Sequence, residues 1–326
     1  MNKVALITGI NGQDGSYLAE YLLSLGYHVH GILKRNSVAE NQTARLDRIF
    51  DKITLHYADM TDISSLYRVV NKVEPDEIYN LAAQSHVRIS FDQPIYTANA
   101  TGLGTLNLLE TVKEINPKIK IYQASSSEMF GNSVDEDGFQ RETTPMHPVS
   151  PYGCAKVFGY NIARNYRHSY GMFISNGILF NHESIRRGTN FVTNKVCKEA
   201  AKIKHGVSER LLLGNLDASR DWGHAKDFVK AMHMILQLDQ PDDFVCATGI
   251  SHTVRDLCEY AFTELDLDYK EYVGLDQKFL RPEELEFLKG DSTKLREATG
   301  WQPEYTFESM ITEMVEYWNN LYKKVF

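Results

Sequence analysis

A short apolar run, Val4-Ala5-Leu6-Ile7-Thr8, leads straight into Gly9-Ile10-Asn11-Gly12-Gln13-Asp14-Gly15. No other feature restricts the fold as strongly. Three glycines spaced G-x-x-G-x-x-G after a buried strand let the chain turn tightly and open a helix. They also let backbone approach a bound pyrophosphate, which the helix N-terminus attracts through unpaired N–H groups and its dipole. The helix is expected over Ser16 to Leu25, with Gly26 as its stop.

The same alternation continues down the chain. Strands are expected at Val29 to Leu33, Thr54 to Tyr57, Glu77 to Leu81 and Lys120 to Ala124. A long helix is expected over Asn99 to Glu114, with Leu103, Leu106 and Leu109 at helical spacing. Strands alternating with helices predict an α/β fold with a doubly wound parallel sheet, the Rossmann arrangement. Helices are also expected at Phe228 to Gln237 and Val254 to Leu265, with Pro282 and Pro303 breaking the pattern near the end. No Pro/Gly/Ser linker separates two hinged units. The expected organisation is a nucleotide-binding domain over 1–180, with part of 215–250 returning to it. A smaller C-terminal cap would come mainly from 181–214 and 251–326.

Composition narrows the class. Apolar residues make up 43% of the 326, ample for a normal core, and the net charge of −8 argues against a nucleic-acid partner. The four cysteines Cys154, Cys197, Cys246 and Cys258 show no C-x-x-C metal spacing, so no metal is expected. They read as reduced thiols of a cytoplasmic protein. No signal peptide or membrane-spanning run is visible, so no membrane association is expected.

Chemistry enters after the second strand. An NAD site places an acid there to meet the ribose hydroxyl, whereas Lys34 and Arg35, with Ser37 beside them, suit the extra phosphate of NADP. Asp59 and Met60, after the third strand, stand where an adenine contact is expected. Tyr152 and Lys156 form Tyr-x-x-x-Lys, which puts both side chains on one helix face. A phenol is a poor base until a neighbouring cation favours its ionised form. Tyr152 could then take a proton from a substrate hydroxyl. The fifth strand runs into Ser125-Ser126-Ser127-Glu128, placing a hydroxyl and a carboxylate at the crevice end of the sheet. A dehydrogenase or 4-epimerase has no use for that carboxylate. An elimination does, because a base must remove the proton made acidic by a neighbouring ketone.

These motifs, with Asn80-Leu81-Ala82-Ala83-Gln84-Ser85, resemble the extended short-chain dehydrogenases. The runs Gly9 to Glu20, Gly177 to Ser184 and Arg220-Asp221-Trp222-Gly223 resemble the GDP-mannose 4,6-dehydratases among them, from Met1 to about Pro303. The resemblance implies an NADP-dependent hydro-lyase. It would oxidise C4 of GDP-mannose, lose water across C5 and C6, and return the hydride to C6, giving a 4-keto-6-deoxy sugar nucleotide.

The resemblance also assigns roles. Tyr152 is the base at the 4-hydroxyl, Lys156 tunes it, Ser126 supplies the second hydroxyl and Glu128 is the acid–base at C5 and C6. Gly9, Gly12, Gln13, Asp14, Gly15, Lys34, Arg35, Asn36, Ser37, Asp59, Met60, Leu81, Ala83, Ser85, Tyr96, His182 and Arg187 fall at cofactor contacts, together with Tyr152 and Lys156. Ser85, Ser126, Glu128, Asn181, Lys195, Gly214, Arg220, Arg281 and Glu284 fall in the region that holds the GDP-sugar. Guanidinium groups at 220 and 281 suit a diphosphate.

This chain departs from the family pattern in three places. It has Ser126 where Thr is common, Ile185 where Pro is usual, and Met146-His147-Pro148-Val149-Ser150 in place of a run with an aromatic residue and an Arg. The related dTDP-glucose 4,6-dehydratases carry Asp-Glu where this chain has Ser127-Glu128, so here Glu128 must serve as both acid and base. Alternatives are GDP-manno-heptose as substrate, a 4-epimerase or 4-ketoreductase, and a non-catalytic NADP-binding protein. By resemblance the chain forms a homodimer or homotetramer, with the loop Asn36 to Arg45 approaching a neighbour's cofactor.

Overall fold

The computed structural model describes residues 2–35, 42–279 and 283–325. Asn36, Ser37 and Arg281 lie outside the described residues. The strands are β1 (Val4–Thr8), β2 (His28–Leu33), β3 (Ile53–Tyr57), β4 (Glu77–Asn80), β5 (Lys120–Ser126) and β6 (Ile174–Leu179). They continue with β7 (Asn181–Glu183), β8 (Leu211–Leu213), β9 (Ser219–His224), β10 (Asp243–Cys246), β11 (Ser251–Thr253) and β12 (Val273–Leu275).

Seven of these form one parallel sheet in the order β10-β6-β5-β4-β1-β2-β3. The order reverses at β1, which pairs with β2 on one side and β4 on the other. A ligand crevice forms beyond the carboxyl ends of the strands at such a point. A buried polar ladder fixes the backbone there. Thr8 Oγ1 donates to Asn80 Oδ1 at 2.7 Å, and Asn80 Nδ2 donates to Gln123 Oε1 at 2.7 Å. Thr8 Oγ1 also accepts from the N–H groups of Leu81 and Ala82, each at 3.0 Å, so the chain leaving β4 is held against β1.

Helices Gln13–Ser24 and Ala225–Leu236 share one apolar core with the sheet, and Leu295 and Trp301 join it. Helices Ile63–Val73 and Gly104–Ile115 share another, where Leu108 and Leu109 are fully buried. Each such leucine contributes ~1.5–3 kcal/mol of transfer free energy. A separate core gathers Val196 to Trp318 from helices Val192–Lys204, Val254–Thr263 and Phe307–Val325 around Trp222.

The structure corrects several local expectations. The first helix starts at Gln13, so its N-terminus lies inside the glycine turn. Strand β5 runs on to Ser126. The expected helix over Asn99 to Glu114 begins with a π-helical turn, Ala98–Leu103, which rotates the buried face. Leu103 is therefore 45% exposed, whereas Leu109 is fully buried and Leu106 packs partly buried against the same core, with Ala100, Thr101, Thr105, Leu108 and Val112 also facing inward. Strand β6 was not expected because its buried residues include polar Ser175 and Asn176, which interrupt any apolar run. Asn176 Nδ2 donates to Asp243 Oδ1 at 2.8 Å, and Arg167 reaches both Asp243 oxygens at 3.0 Å. All four cysteines are free, and Cys154 alone is exposed. No helix among the described residues is long and apolar enough to cross a membrane.

Candidate active site

Turn geometry builds one end of the crevice. Gly9 has φ +69°, and a Cβ on it would lie 3.1 Å from Ala82 Cα. A Cβ on Gly12 would meet only the Gly9 carbonyl oxygen, at 3.2 Å, so this glycine borders open space. Gly12 caps helix Gln13–Ser24 with no side-chain hydrogen bond, leaving the first N–H groups for an anion. The residues present therefore fit a dinucleotide pyrophosphate.

At the ends of β2 and β3, Lys34 Nζ lies 2.9 Å from Asp59 Oδ2, 3.2 Å from Tyr96 Oη and 4.9 Å from the Tyr96 ring centre. The Asp59 carboxyl stands below its usual range: burial opposes this, but bonds from the Thr61 N–H and Lys34 outweigh it. Arg35 lies 5.8 Å from the Tyr57 ring. Met60, expected beside an adenine, is buried and belongs to the same apolar cluster as Leu66 and Leu109, and its carbonyl oxygen accepts from Asn107 Nδ2 at 2.8 Å.

A cavity of roughly 860 Å³ adjoins the turn. Of the expected cofactor residues, Asp14, Leu81, Ala83, Ser85, His182 and Arg187 line it. So do Ser126, Glu128, Tyr152 and Lys156. Asn181, Lys195, Gly214, Arg220 and Glu284 border the same space, with Arg220 3.5 Å from Glu284. Lys195 Nζ donates to Leu212 O at 2.6 Å and sits 3.7 Å from the Phe279 ring.

The helix Pro151–Tyr170 starts at Ser150, whose hydroxyl accepts from the Gly153 N–H at 3.0 Å. This cap sets Tyr152 and Lys156 on the inner face, both buried. Burial pushes the Tyr152 phenol up to about 12, a hydrogen bond with Ser126 pulls it down, and the Glu128 charge pushes it up again. The expected help from Lys156 does not dominate. Its ammonium donates to Ala124 O at 2.7 Å, 5.7 Å from the Tyr152 ring centre. Burial pulls Lys156 down to about 8, opposed by the charge of Asp14. Glu128 is 6% exposed and follows Ser126, whose hydroxyl accepts from the Glu128 N–H at 3.3 Å.

Several lining residues escaped the sequence reading. Phe191 has the Arg187 guanidinium 3.6 Å from its ring centre and the tilted His86 ring at 5.1 Å. Glu183 holds Arg187 at 3.1 Å. Their only sequence signal was proximity to Ser85 and Asn181, since an aromatic wall has no motif of its own.

A tyrosine and lysine on one helix, facing a glycine turn at the switch point of a parallel sheet, belong to the short-chain dehydrogenase/reductase class, and the added C-terminal core makes this the extended type. Comparison with known proteins narrows the class. The family model described as GDP-mannose 4,6 dehydratase matches residues 6–314. The chain is 49% identical to GDP-mannose 4,6 dehydratase 2 of Arabidopsis thaliana, over 96% of this chain and 86% of that one. It is 48% identical to the Homo sapiens GDP-mannose 4,6 dehydratase, over 96% and 90%, and 46% identical to that of Vibrio cholerae, over 97% and 93%. Among solved structures, dTDP-glucose 4,6-dehydratase of Bacillus anthracis superposes with a TM-score of 0.84 at 23% identity, covering 98% of this chain and 97% of that one. The chain belongs to the GDP-mannose 4,6-dehydratase family.

Proposed function

We propose that this protein converts GDP-mannose to GDP-4-keto-6-deoxymannose with NADP as its cofactor. The observation that carries the reading is Glu128: a buried carboxylate in the same cavity as Tyr152, close enough for its charge to act on the phenol. A 4-epimerase or 4-ketoreductase would leave that group idle. The N–H groups after Gly12 would hold the pyrophosphate, Lys34 and Arg35 the 2′-phosphate, and His182 and Arg187 the far end of the cofactor. When bound, NADP supplies the capacity to accept a hydride from C4 and return one at C6.

The protein's own groups move the protons. Tyr152 takes the proton of the C4 hydroxyl, with the Ser126 hydroxyl hydrogen-bonded to the same oxygen. Glu128 then removes the C5 proton, made acidic by the new C4 ketone, and protonates the departing C6 oxygen as water leaves. A proton returns to C5 at the end, and because the hydride lost at C4 is matched by the one gained at C6, no net redox change occurs. Arg220 would meet the diphosphate, with Lys195, Gly214, Asn181 and Glu284 around the rest of the nucleotide sugar, a reading supported by their bordering one cavity. The cavity walls keep bulk water from the intermediate.

We further propose that 1–180, joined by β10 and its preceding helix, form the cofactor domain, and that the core around Trp222 is the sugar-nucleotide cap. Ile95, Leu103 and Phe158 are exposed apolar side chains on helices near one another, which supports a homo-oligomer.

The test is incubation with GDP-mannose in heavy water, read by mass spectrometry. The expected product has lost one water and gained one deuteron at C5, with no reduced cofactor accumulating. Glu128→Gln should abolish water loss and leave traces of C4 oxidation. Scrambling at C4 without water loss would sink the dehydratase reading.

A further inference from the structure

Asp14 occupies an unexpected position for a phosphate-binding turn. It puts a carboxylate in the first turn of helix Gln13–Ser24, beside the N–H groups that would hold an anion. A bare negative charge there would repel a pyrophosphate. Its Oδ2 lies 2.7 Å from Nε2 of His182, on β7, and His182 Nδ1 lies 2.7 Å from the carbonyl oxygen of Phe180.

Those two distances constrain the protons. A carbonyl only accepts, so Nδ1 carries hydrogen. At Nε2 the choice is a carboxylate accepting from an imidazolium or a carboxylic acid donating to a neutral ring. The surroundings select the carboxylate. The helix N-terminus favours an anion, Gln13 Nε2 donates to Asp14 Oδ1 at 3.1 Å, and the Arg187 guanidinium adds positive charge. Burial works against both charges, yet the mutual attraction outweighs it. Asp14 lies below its ordinary value and His182 above its own.

Several elements bring titratable or aromatic groups to the pair. Strand β5 brings Tyr122, whose phenol is pushed up by burial and by the Asp14 charge. The loop after β7 brings Arg187, itself held by Glu183 of β7 at 3.1 Å. Helix Ala225–Leu236 brings only the ring of Phe228, stacked at 4.6 Å. Helix Pro151–Tyr170 brings Tyr152 and Lys156, both of which feel the Asp14 charge.

We propose that Asp14 and His182 form a carboxylate–imidazolium pair that joins the phosphate turn to β7, with His182 cancelling the charge Asp14 would otherwise present to the pyrophosphate. Asp14 is thus a positioning residue that acts through His182. The proposal deepens the NADP reading above and rests on it for the identity of the anion.

The protonation state is read by 15N NMR of histidine-labelled holoenzyme, independently of any turnover. At about pH 7.5, above the ordinary imidazole value, one of the eleven histidines should keep both ring nitrogens protonated. That signal should vanish in His182→Gln. A bare nitrogen on His182 at that pH overturns the proposal. The charge argument is read by NADP titration of three variants. His182→Gln, which leaves Asp14 uncompensated, should weaken NADP about tenfold or more, and the double variant Asp14→Asn/His182→Gln should recover most of it. Asp14→Asn alone should lose the NMR signal of the imidazolium. A double variant as weak as His182→Gln would show a contact of His182 itself and refute the charge-cancelling role. If the parent protein binds no NADP, the cofactor reading fails while the NMR result still decides the pair.

Discussion

Gly15 stands so close to Gly9 that a Cβ on it would lie 2.4 Å from the Gly9 carbonyl oxygen and 2.6 Å from Ile10 Cα. Both neighbours are backbone and cannot yield cheaply. Gly15→Ala should therefore destabilise the protein by ~1–3 kcal/mol, as overpacking does, and displace the turn. Gly12→Ala has only one close neighbour, at 3.2 Å. It should melt near the parent temperature yet lose NADP affinity, because the methyl group enters the space a pyrophosphate needs. Thermal melts paired with NADP titrations separate the two. Equal damage to stability from both would contradict the assignment of the turn.

Lys34 is shared between Asp59 and Tyr96 and is about half exposed. An exposed ion pair contributes ~0–1 kcal/mol, so Lys34→Ala should leave the melting temperature nearly unchanged. Its effect should fall on cofactor choice. Loss of one charged hydrogen bond to the 2′-phosphate predicts about a tenfold or larger drop in NADP affinity, with NAD affinity little altered. Measuring both affinities checks it, and equal loss for the two would place Lys34 away from the 2′-phosphate.

The N-terminal half was legible because its signals are local. The glycine turn, the strand ends and the Tyr152/Lys156 spacing each follow from a few neighbouring residues. Residues 120–128 carried the reading to Ser126 and Glu128 although the strand runs two residues further than expected. The helix over 99–114 was misread at Leu103 but not at Leu106 and Leu109, because the π-helical turn at its start is invisible to a 3.6-residue period. Strands β7, β8, β11 and β12 have three residues each, too few for an alternation to register. Arg220 and Glu284 meet only in the folded chain, so resemblance and not spacing pointed to them. The aromatic wall of Phe191 and the Asp14–His182 pair depend on β7 lying beside the phosphate turn.

Asp221, the acid of the Arg-Asp-Trp-Gly run, is fully buried and does not line the active-site cavity. Its Oδ1 accepts from the Thr248 N–H at 2.9 Å and the Thr248 hydroxyl at 2.6 Å. Its Oδ2 accepts from Gly249 N at 2.9 Å and Gly290 N at 3.3 Å. It ties two loops to β9, the strand that carries Arg220. Asp221→Ala removes the acceptor of four donors, of which the Gly290 N–H is fully buried and the others partly so, and each buried donor without a partner costs ~1–3 kcal/mol. The variant should lose at least about 3 kcal/mol in denaturant unfolding, and GDP-mannose should bind more weakly in the fraction that folds. Unfolding at the parent midpoint would show that the loops hold without it.

The Lys156 ammonium predicts an alkaline limit to activity. Burial draws it down to about 8, with Asp14 opposing. Below that pH it is charged and able to support ionisation of Tyr152, whose phenol burial holds at about 12. Above it the charge is lost, so kcat/KM for GDP-mannose should fall as pH rises through about 8. Stability moves the other way for this group. Between about 8 and the ordinary lysine value near ~10.4, the unfolded chain keeps a proton that the native lysine has released. The Lys156 contribution to native stability therefore rises with pH across that window. Activity should be lost there while the far-ultraviolet circular dichroism and melting temperature report an intact fold. Ser126→Ala removes the hydrogen bond that eases the phenol and should lower kcat across the profile without moving the lysine limb. A profile flat to about pH 10 would mean that the lysine keeps its proton in the working enzyme.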